Sequence, residues 1–244
     1  MSEEATKPAS TSVSGNARVD RVINIQNGNL VEAGGGVVGL GFPHFVGVPD
    51  RNAGFVGRSA ELDRLSTVGG SATVIAQVTA GMGGIGKTAL AVEFAHAQRD
   101  AGVQATRWLH AENREALVTQ YTRIGTAVGL DVNAFALDDQ LASVRNWFET
   151  TDHTWLLVFD NVEHPTDLNG LIPTKGNGQV IITTRHQDWA KTNTVVVQLG
   201  VLPEPDAIEL LNTTSQHTAT DDAAKLVERL GFLALAIELS LIHI

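Results

Sequence analysis

The stretch TVIAQVTAGMGGIGKTALAVEF, residues 73–94, decides the fold of this chain. It begins with an apolar run rich in β-branched residues, which predicts a buried strand over residues 73–79, and it continues into a helical pattern over residues 87–98. Between the two lies the pattern G-x-x-x-x-G-K-[ST], completed by Gly81, Gly86, Lys87 and Thr88. A strand, this loop and a helix in that order predict a phosphate-binding loop.

Each residue type in the loop suits a phosphate ligand. Glycines allow successive backbone N–H groups to turn inward around an anion, and the first turn of the helix adds unpaired amides. We expect Lys87 to reach the β- and γ-phosphates and the Thr88 hydroxyl to ligate magnesium. The predicted cofactors are therefore ATP or ADP with Mg²⁺, and the predicted loop contacts are Gly81, Met82, Gly83, Gly84, Ile85, Gly86, Lys87, Thr88 and Ala89.

Two later strands end in polar residues that fit the same chemistry. The run WLLVFD ends in Asp160, which we expect to hold the magnesium together with Thr88. The next residue, Asn161, stands where many hydrolases have a second acid; an amide binds a water but cannot take its proton at neutral pH. The run VIITTR ends in Arg185, which can contact a γ-phosphate with two N–H groups. We predict Lys87, Asp160, Asn161 and Arg185 as the catalytic group.

Composition excludes several other functions. The 244 residues carry a formal net charge of −10, which disfavours a nucleic-acid partner. The chain has no cysteine, which excludes disulfides and thiolate chemistry. The polar N-terminus does not have the pattern of a signal peptide, and the apolar run after Gly231 is too short to span a bilayer. We expect a cytoplasmic protein with no membrane partner.

Four blocks, in this order, resemble the NB-ARC branch of the signal-transducing (STAND) NTPases and look like bacterial, actinobacterial members. They are FVGR at residues 55–58, GMGGIGKT at 81–88, LLVFDN at 156–161 and IITTR at 181–185, followed by LVERLGFLALAIE, which resembles the first part of a helical subdomain. The resemblance covers roughly residues 50–238.

The resemblance implies an α/β P-loop NTPase fold with a five-stranded parallel sheet flanked by helices. The strand that ends in Arg185 would lie beside the P-loop strand. The lead-in residues Val56, Gly57 and Arg58 would contact the nucleotide near its adenine. Relatives have a proline that packs on adenine where this chain has Leu233, so Leu233 is the predicted apolar contact.

The predicted organisation has four parts. Residues 1–49 form an N-terminal segment whose first 14 residues look disordered and whose residues 15–42 can hold short strands or turns. The part GNLVEAGGGVV resembles segments that precede the NTPase domain in actinobacterial relatives, some of which are proposed to assemble as signalling amyloids; we favour a flexible linker over such self-assembly. Residues 50–200 form the nucleotide-binding domain, and residues 201–238 begin a helical subdomain with one helix over residues 221–238. The last residues, LSLIHI at 239–244, equal the translation of a common transposon-end sequencing adapter, so we expect a non-native tail on a truncated chain.

These features favour a nucleotide-controlled switch with slow ATP hydrolysis. In that interpretation, exchange of ADP for ATP controls homo-oligomerisation of the full-length protein. Two alternatives stay open at this point: a housekeeping P-loop ATPase with steady turnover, and a scaffold that binds ADP without hydrolysis.

Overall fold

The computed structural model describes residues 23–26, 29–32, 37–38, 45–67, 72–77, 83–130, 136–186, 189, 195–215 and 221–240. The chain divides into two units, Met1–Gly41 and Phe42–Ile244. The first unit contains an antiparallel sheet of three short strands, β1 (Ile23–Gln26), β2 (Asn29–Glu32) and β3 (Val37–Val38). Short strands thus stand where the sequence favoured a flexible linker. Residues 1–14, where disorder is expected, and residues 241–244 of the tail expected at 239–244 lie outside the described residues, whereas residues 239 and 240 belong to a described helix.

The second unit is built on one parallel sheet. Its strands run in the order β4-β6-β7-β8-β5-β9, and every neighbouring pair is parallel. Their ranges are β4 (Phe45–Val46), β5 (Ala72–Gln77), β6 (Ala105–His110), β7 (Trp155–Val162), β8 (Gly178–Thr184) and β9 (Val195–Leu199). The predicted neighbourhood of the Arg185 strand and the P-loop strand is confirmed, because β8 pairs with β5.

The predicted strand count of five is wrong by one. The additional strand is β4, whose two residues extend the sheet beside β6, with Phe45 opposite Thr106. Two residues are too few to show the alternation by which a strand is identified in a sequence. The main α/β prediction is otherwise confirmed.

Helices cover both faces of the large sheet. They are α1 (Ser59–Thr67), α2 (Lys87–Asp100), α3 (Arg114–Ala127), α4 (Leu137–Thr150), a 3₁₀ turn (Pro165–Leu168), α5 (Glu204–Ser215), α6 (Asp221–Arg229) and α7 (Ala234–Ser240). Leu156 and Val158 of β7 pack towards α1 and α2, whereas Leu157 and Phe159 pack towards α3 and α4. A third apolar cluster joins α5, α6 and α7 to the lead-in residue Val56.

Among the helices that the structure describes, none is long and apolar enough to cross a membrane.

The single helix predicted over residues 221–238 is two helices, because the chain turns between α6 and α7. Gly231 and Phe232 both have positive φ, 64° and 56°. The Phe232 N–H donates to Val227 O at 3.0 Å and the Gly231 N–H to Glu228 O at 2.9 Å, which is a Schellman ending with glycine at its usual position. Apolar periodicity continues across this turn, so the sequence pattern alone conceals it. The turn sends α7 back towards the P-loop.

Gly178 at the start of β8 packs closely against the side chain of Trp155. A Cβ at Gly178 would lie 2.0 Å from the Trp155 ring, and that ring is held by a hydrogen bond from its Nε1 to Phe148 O at 2.9 Å. We predict that Gly178→Ala destabilises the protein by at least about 2 kcal/mol, as overpacked cores do. Gly200→Ala, where a Cβ meets open space, is the matched control. Urea unfolding of both variants measures the difference, and similar stabilities would contradict this packing.

Candidate phosphate-binding site

The phosphate loop enters α2 through two glycines in the left-handed region. Gly84 has φ 79° and Gly86 has φ 96°, and Gly86 is the residue before the first turn of α2, which begins at Lys87. Ile85 between them is buried in the core against α2, so the loop is anchored at its centre. Glycine adopts these angles with the least strain, which explains why the motif requires it at position 86. Gly81 and Met82 lie outside the described residues.

Asp160 lies at the carboxyl edge of the sheet and accepts two hydroxyl hydrogen bonds. Thr88 Oγ1 donates to Asp160 Oδ1 at 2.9 Å, and Thr183 Oγ1 of β8 donates to the same oxygen at 2.5 Å. Asp160 as a whole is only 8% exposed. Hydroxyl and carboxylate oxygens are the donors that Mg²⁺ prefers, so the pair Thr88 and Asp160 fits the predicted ion.

Asn161 has an unusual backbone. Strand β7 does not end at Asp160, as its apolar run suggested; it continues to Val162, with an irregularity in its pairing with β8 between Phe159 and Val162. Asn161 occupies this irregularity with φ 64°, a conformation that asparagine tolerates better than most residues. Its N–H donates to Thr183 Oγ1 at 2.8 Å.

Glu112 is a neighbour that the sequence did not identify. The side-chain Nδ2 of Asn161 donates to Glu112 Oε1 at 2.9 Å. Glu112 follows the end of β6, and β6 pairs with β7. The position of Glu112 just after a strand could have pointed to it, because the carboxyl ends of adjacent parallel strands meet at one edge of a sheet. Using this required knowing that β6 and β7 are neighbours, which the sequence does not show.

The cleft at this edge has a volume of about 220 Å³ and brings most of the predicted residues together. Burial and the nearby Arg185 lower the pKa of Lys87, and Asp160 opposes them. Lys87 and Arg185 therefore place two positive charges at a space that a polyphosphate can enter, and the carboxylate in its lining is that of Glu238. Its lining is Gly83, Gly84, Ile85, Gly86, Lys87, Thr88, Ala89, Asn161, Thr183, Arg185, Ala234, Leu235 and Glu238.

The lead-in residues lie on the other side of the loop. Val56 and Arg58 line a narrow cleft of about 30 Å³, which shares Ile85, Gly86 and Ala89 with the phosphate cleft. Arg58 is 7% exposed, and its guanidinium donates to Gly200 O at 2.7 Å, to Ile85 O at 3.3 Å and to Glu61 Oε1 at 3.1 Å. These bonds tie the lead-in to the P-loop and to the end of β9.

Gly57 and Leu233 have packing contacts in the structure. Gly57 has φ 68°, and a Cβ there would lie 2.2 Å from a carboxylate oxygen of Asp206 in α5. Leu233 packs against the cluster that contains α1 and α2, whereas the following residue, Ala234, lines both clefts. Ala234 therefore offers apolar surface to both clefts, and the ligand contact of Leu233 stays a prediction.

Helix α7 lies directly on the phosphate loop, which the sequence did not indicate. The Leu235 N–H donates to Gly84 O at 3.1 Å. A Cβ at Gly84 would lie 2.8 Å from the Cβ of Leu235. Glu238 lines both clefts and accepts a hydrogen bond from Asn52 Nδ2 at 3.1 Å.

The sheet order, the glycine loop before α2 and the acid on β7, which is separated from the P-loop strand β5 by β8, define the class of P-loop nucleotide-binding proteins. The NB-ARC domain family model matches residues 61–221, which is more than half of the chain. The chain therefore belongs to the NB-ARC family.

Comparisons with individual proteins agree with this assignment. The chain is 29% identical over 209 residues to the regulatory protein AfsR of Streptomyces griseus, covering 79% of this chain and 20% of that protein. It is 27% identical over 182 residues to a nucleotide-binding leucine-rich repeat-like protein of Hyaloscypha variabilis, covering 65% of this chain and 18% of that protein. The chain thus spans about a fifth of the length of these relatives.

A solved structure shares the fold. The STAND protein with a tetratricopeptide repeat sensor from Pyrococcus horikoshii superposes with a TM-score of 0.56 at 22% identity, covering 81% of this chain and 30% of that one. This likeness confirms the predicted P-loop NTPase architecture.

The hydroxyl of Thr183 gives a direct test of this edge. Thr183 is 1% exposed, and its hydroxyl accepts the Asn161 N–H while donating to Asp160. We predict that Thr183→Val, which keeps the shape and leaves that N–H without its acceptor, lowers the free energy of unfolding by about 1–3 kcal/mol. Thr119→Val on the exposed face of α3 is the control. Equal unfolding midpoints in urea for the two variants would show that the hydroxyl network contributes nothing.

Proposed function

We propose that this chain is the nucleotide-sensing part of a signalling switch. ADP holds the protein closed, exchange for ATP opens it, and hydrolysis resets it slowly. In the full-length protein the open state would form a homo-oligomer that transmits the signal in the cytoplasm. Membership of the NB-ARC family and the geometry of the phosphate cleft support the nucleotide-binding part of this proposal.

In this proposal the cleft at the carboxyl edge of the sheet holds the phosphates. The N-terminus of α2 and the glycine loop would bind them through backbone N–H groups, with Lys87 and Arg185 as the charged contacts. Thr88 and Asp160 would hold Mg²⁺, which supplies positive charge against the β- and γ-phosphates. We place the base next to it, at Val56, Arg58, Ala89 and Ala234, where the narrow cleft of about 30 Å³ would have to widen to admit it.

The observation that supports the switch mechanism is the contact between α7 and the phosphate loop. Leu235 and Gly84 are joined by a backbone hydrogen bond, and Leu235 and Glu238 line the same cleft as Lys87. A ligand in the cleft therefore meets both the α/β unit and the helical part. A γ-phosphate, which ADP lacks, can shift the equilibrium between the closed and open states only by binding one of them more tightly. We place this difference in affinity at α7, because α7 contacts the loop that would hold the phosphates.

Slow turnover follows from the amide at position 161. Asn161 lines the cleft next to Asp160 but cannot accept a proton at neutral pH. General-base catalysis typically contributes roughly 10²–10⁴-fold to a rate. A protein without that contribution would keep ATP bound for long enough to signal.

Lys87→Ala tests the site itself. We predict the loss of measurable ADP and ATP binding with an unchanged circular dichroism spectrum, since the side chain lines the cleft and does not belong to the apolar core. Lys175→Ala, in the exposed loop before β8, is the matched control. Titration with a fluorescent nucleotide analogue measures both. Equal affinities for Lys87→Ala and the parent would refute the nucleotide site.

The rate of hydrolysis tests the switch against steady turnover. With the protein in excess over radiolabelled ATP and Mg²⁺, we expect a single-turnover rate well below the roughly 1–10³ s⁻¹ of ordinary enzymes. Turnover of several per second would favour a housekeeping ATPase. Tight ADP binding with neither exchange nor hydrolysis would favour a scaffold.

A further inference from the structure

Glu112 and Asn161 form a hydrogen bond that the P-loop pattern does not account for. Glu112 lies two residues beyond His110, which pairs with Asp160. The Ala111 N–H donates to Asp160 O at 2.8 Å, so the chain after β6 continues along β7. Glu112 therefore lies beside Asn161, and the 2.9 Å bond from Asn161 Nδ2 to Glu112 Oε1 joins the two side chains.

This bond uses one end of the Asn161 amide. The hydrogen bond from the Asn161 N–H to Thr183 Oγ1 fixes the backbone of Asn161, and this fixes the direction in which its side chain leaves the strand. Asn161 lines the phosphate cleft, and Glu112 is not among the described residues that line it. With Nδ2 bonded to Glu112, the carbonyl oxygen Oδ1 is the end of the amide that stays available to a group in the cleft.

The geometry points to Glu112 as a positioning residue for ATP hydrolysis. A carboxylate accepts only, so it selects the amide orientation in which Nδ2 faces away from the phosphates. The Asn161 carbonyl oxygen then accepts a hydrogen bond from the attacking water. With the amide reversed, Nδ2 would donate to a phosphate oxygen instead, and the water would lose its acceptor. This role rests on the nucleotide site proposed above.

The reaction needs no base from the protein. The oxygen of the water forms a bond to the γ-phosphorus while the bond from that phosphorus to the β,γ-bridging oxygen breaks. The electron pair of the broken bond stays on ADP, and the proton of the water passes to a phosphate oxygen. Asn161 orients the water, and Glu112 orients Asn161.

Three variants separate positioning from other roles. Glu112→Ala removes the acceptor, whereas Glu112→Gln keeps a carbonyl oxygen that can accept from Asn161 Nδ2 but has no charge and no basicity. Glu115→Ala removes an exposed carboxylate from the first turn of α3, close in sequence but outside the cleft, and serves as the control. Single-turnover hydrolysis and the affinities for ADP and an ATP analogue are measured for each variant and the parent.

We expect Glu112→Ala to slow hydrolysis roughly 10- to 100-fold, as the loss of a residue that orients a reacting group does, with nucleotide affinities within about twofold of the parent. Glu112→Gln restores part of the lost rate, because its carbonyl oxygen can accept from Asn161 Nδ2 but its NH₂ group can also donate to Asn161 Oδ1, and Glu115→Ala matches the parent.

Equal slowing by Ala and Gln would overturn the proposal, because the carboxylate charge rather than its acceptor would then be needed. An unchanged rate in Glu112→Ala, or a parent that binds ATP without hydrolysing it, would overturn it as well while leaving the nucleotide site intact. A parent that binds no nucleotide would refute the proposed function itself.

Discussion

One nearly buried carboxylate joins the three elements that make the site. Asp160 accepts hydroxyl hydrogen bonds from Thr88 at the start of α2 and from Thr183 of β8. A carboxylate with so little exposure is costly unless its oxygens are hydrogen-bonded, and both donors reach one oxygen. Thr88 belongs to the phosphate-loop motif, and its hydrogen bond to Asp160 attaches that loop to β7. The position of the loop relative to the sheet therefore depends on this acid.

The same contacts extend across the edge of the sheet. From Asp160 the hydrogen bonds continue through Thr183 to the Asn161 N–H, and from the Asn161 side chain to Glu112 after β6. Carboxyl ends of adjacent parallel strands supply every member except Thr88, which is why the strand order matters. The left-handed backbone at Asn161 makes the connection possible, since it leaves the N–H directed at β8 and the amide directed at β6.

The sequence predicts the features that depend on local pattern. Strand, glycine loop and helix around Lys87 are correct, as is the placement of β8 beside β5 that the family resemblance implied. It did not predict β4 or the turn at Gly231, because a two-residue strand has no period and apolar spacing continues across the turn. Glu112 and Leu235 were missed because each reaches the cleft edge only through tertiary contacts, Glu112 beside Asn161 and Leu235 at Gly84.

The central claim is that the nucleotide decides whether α7 stays on the phosphate loop. Hydrogen–deuterium exchange of the α7 amides, residues 234–240, measures this contact with ADP and with a non-hydrolysable ATP analogue, each with Mg²⁺. The account predicts faster exchange with the ATP analogue, because Leu235 then leaves Gly84, and equal exchange in α4, which lies against the opposite face of the sheet. Equal exchange of α7 in both complexes would contradict the switch.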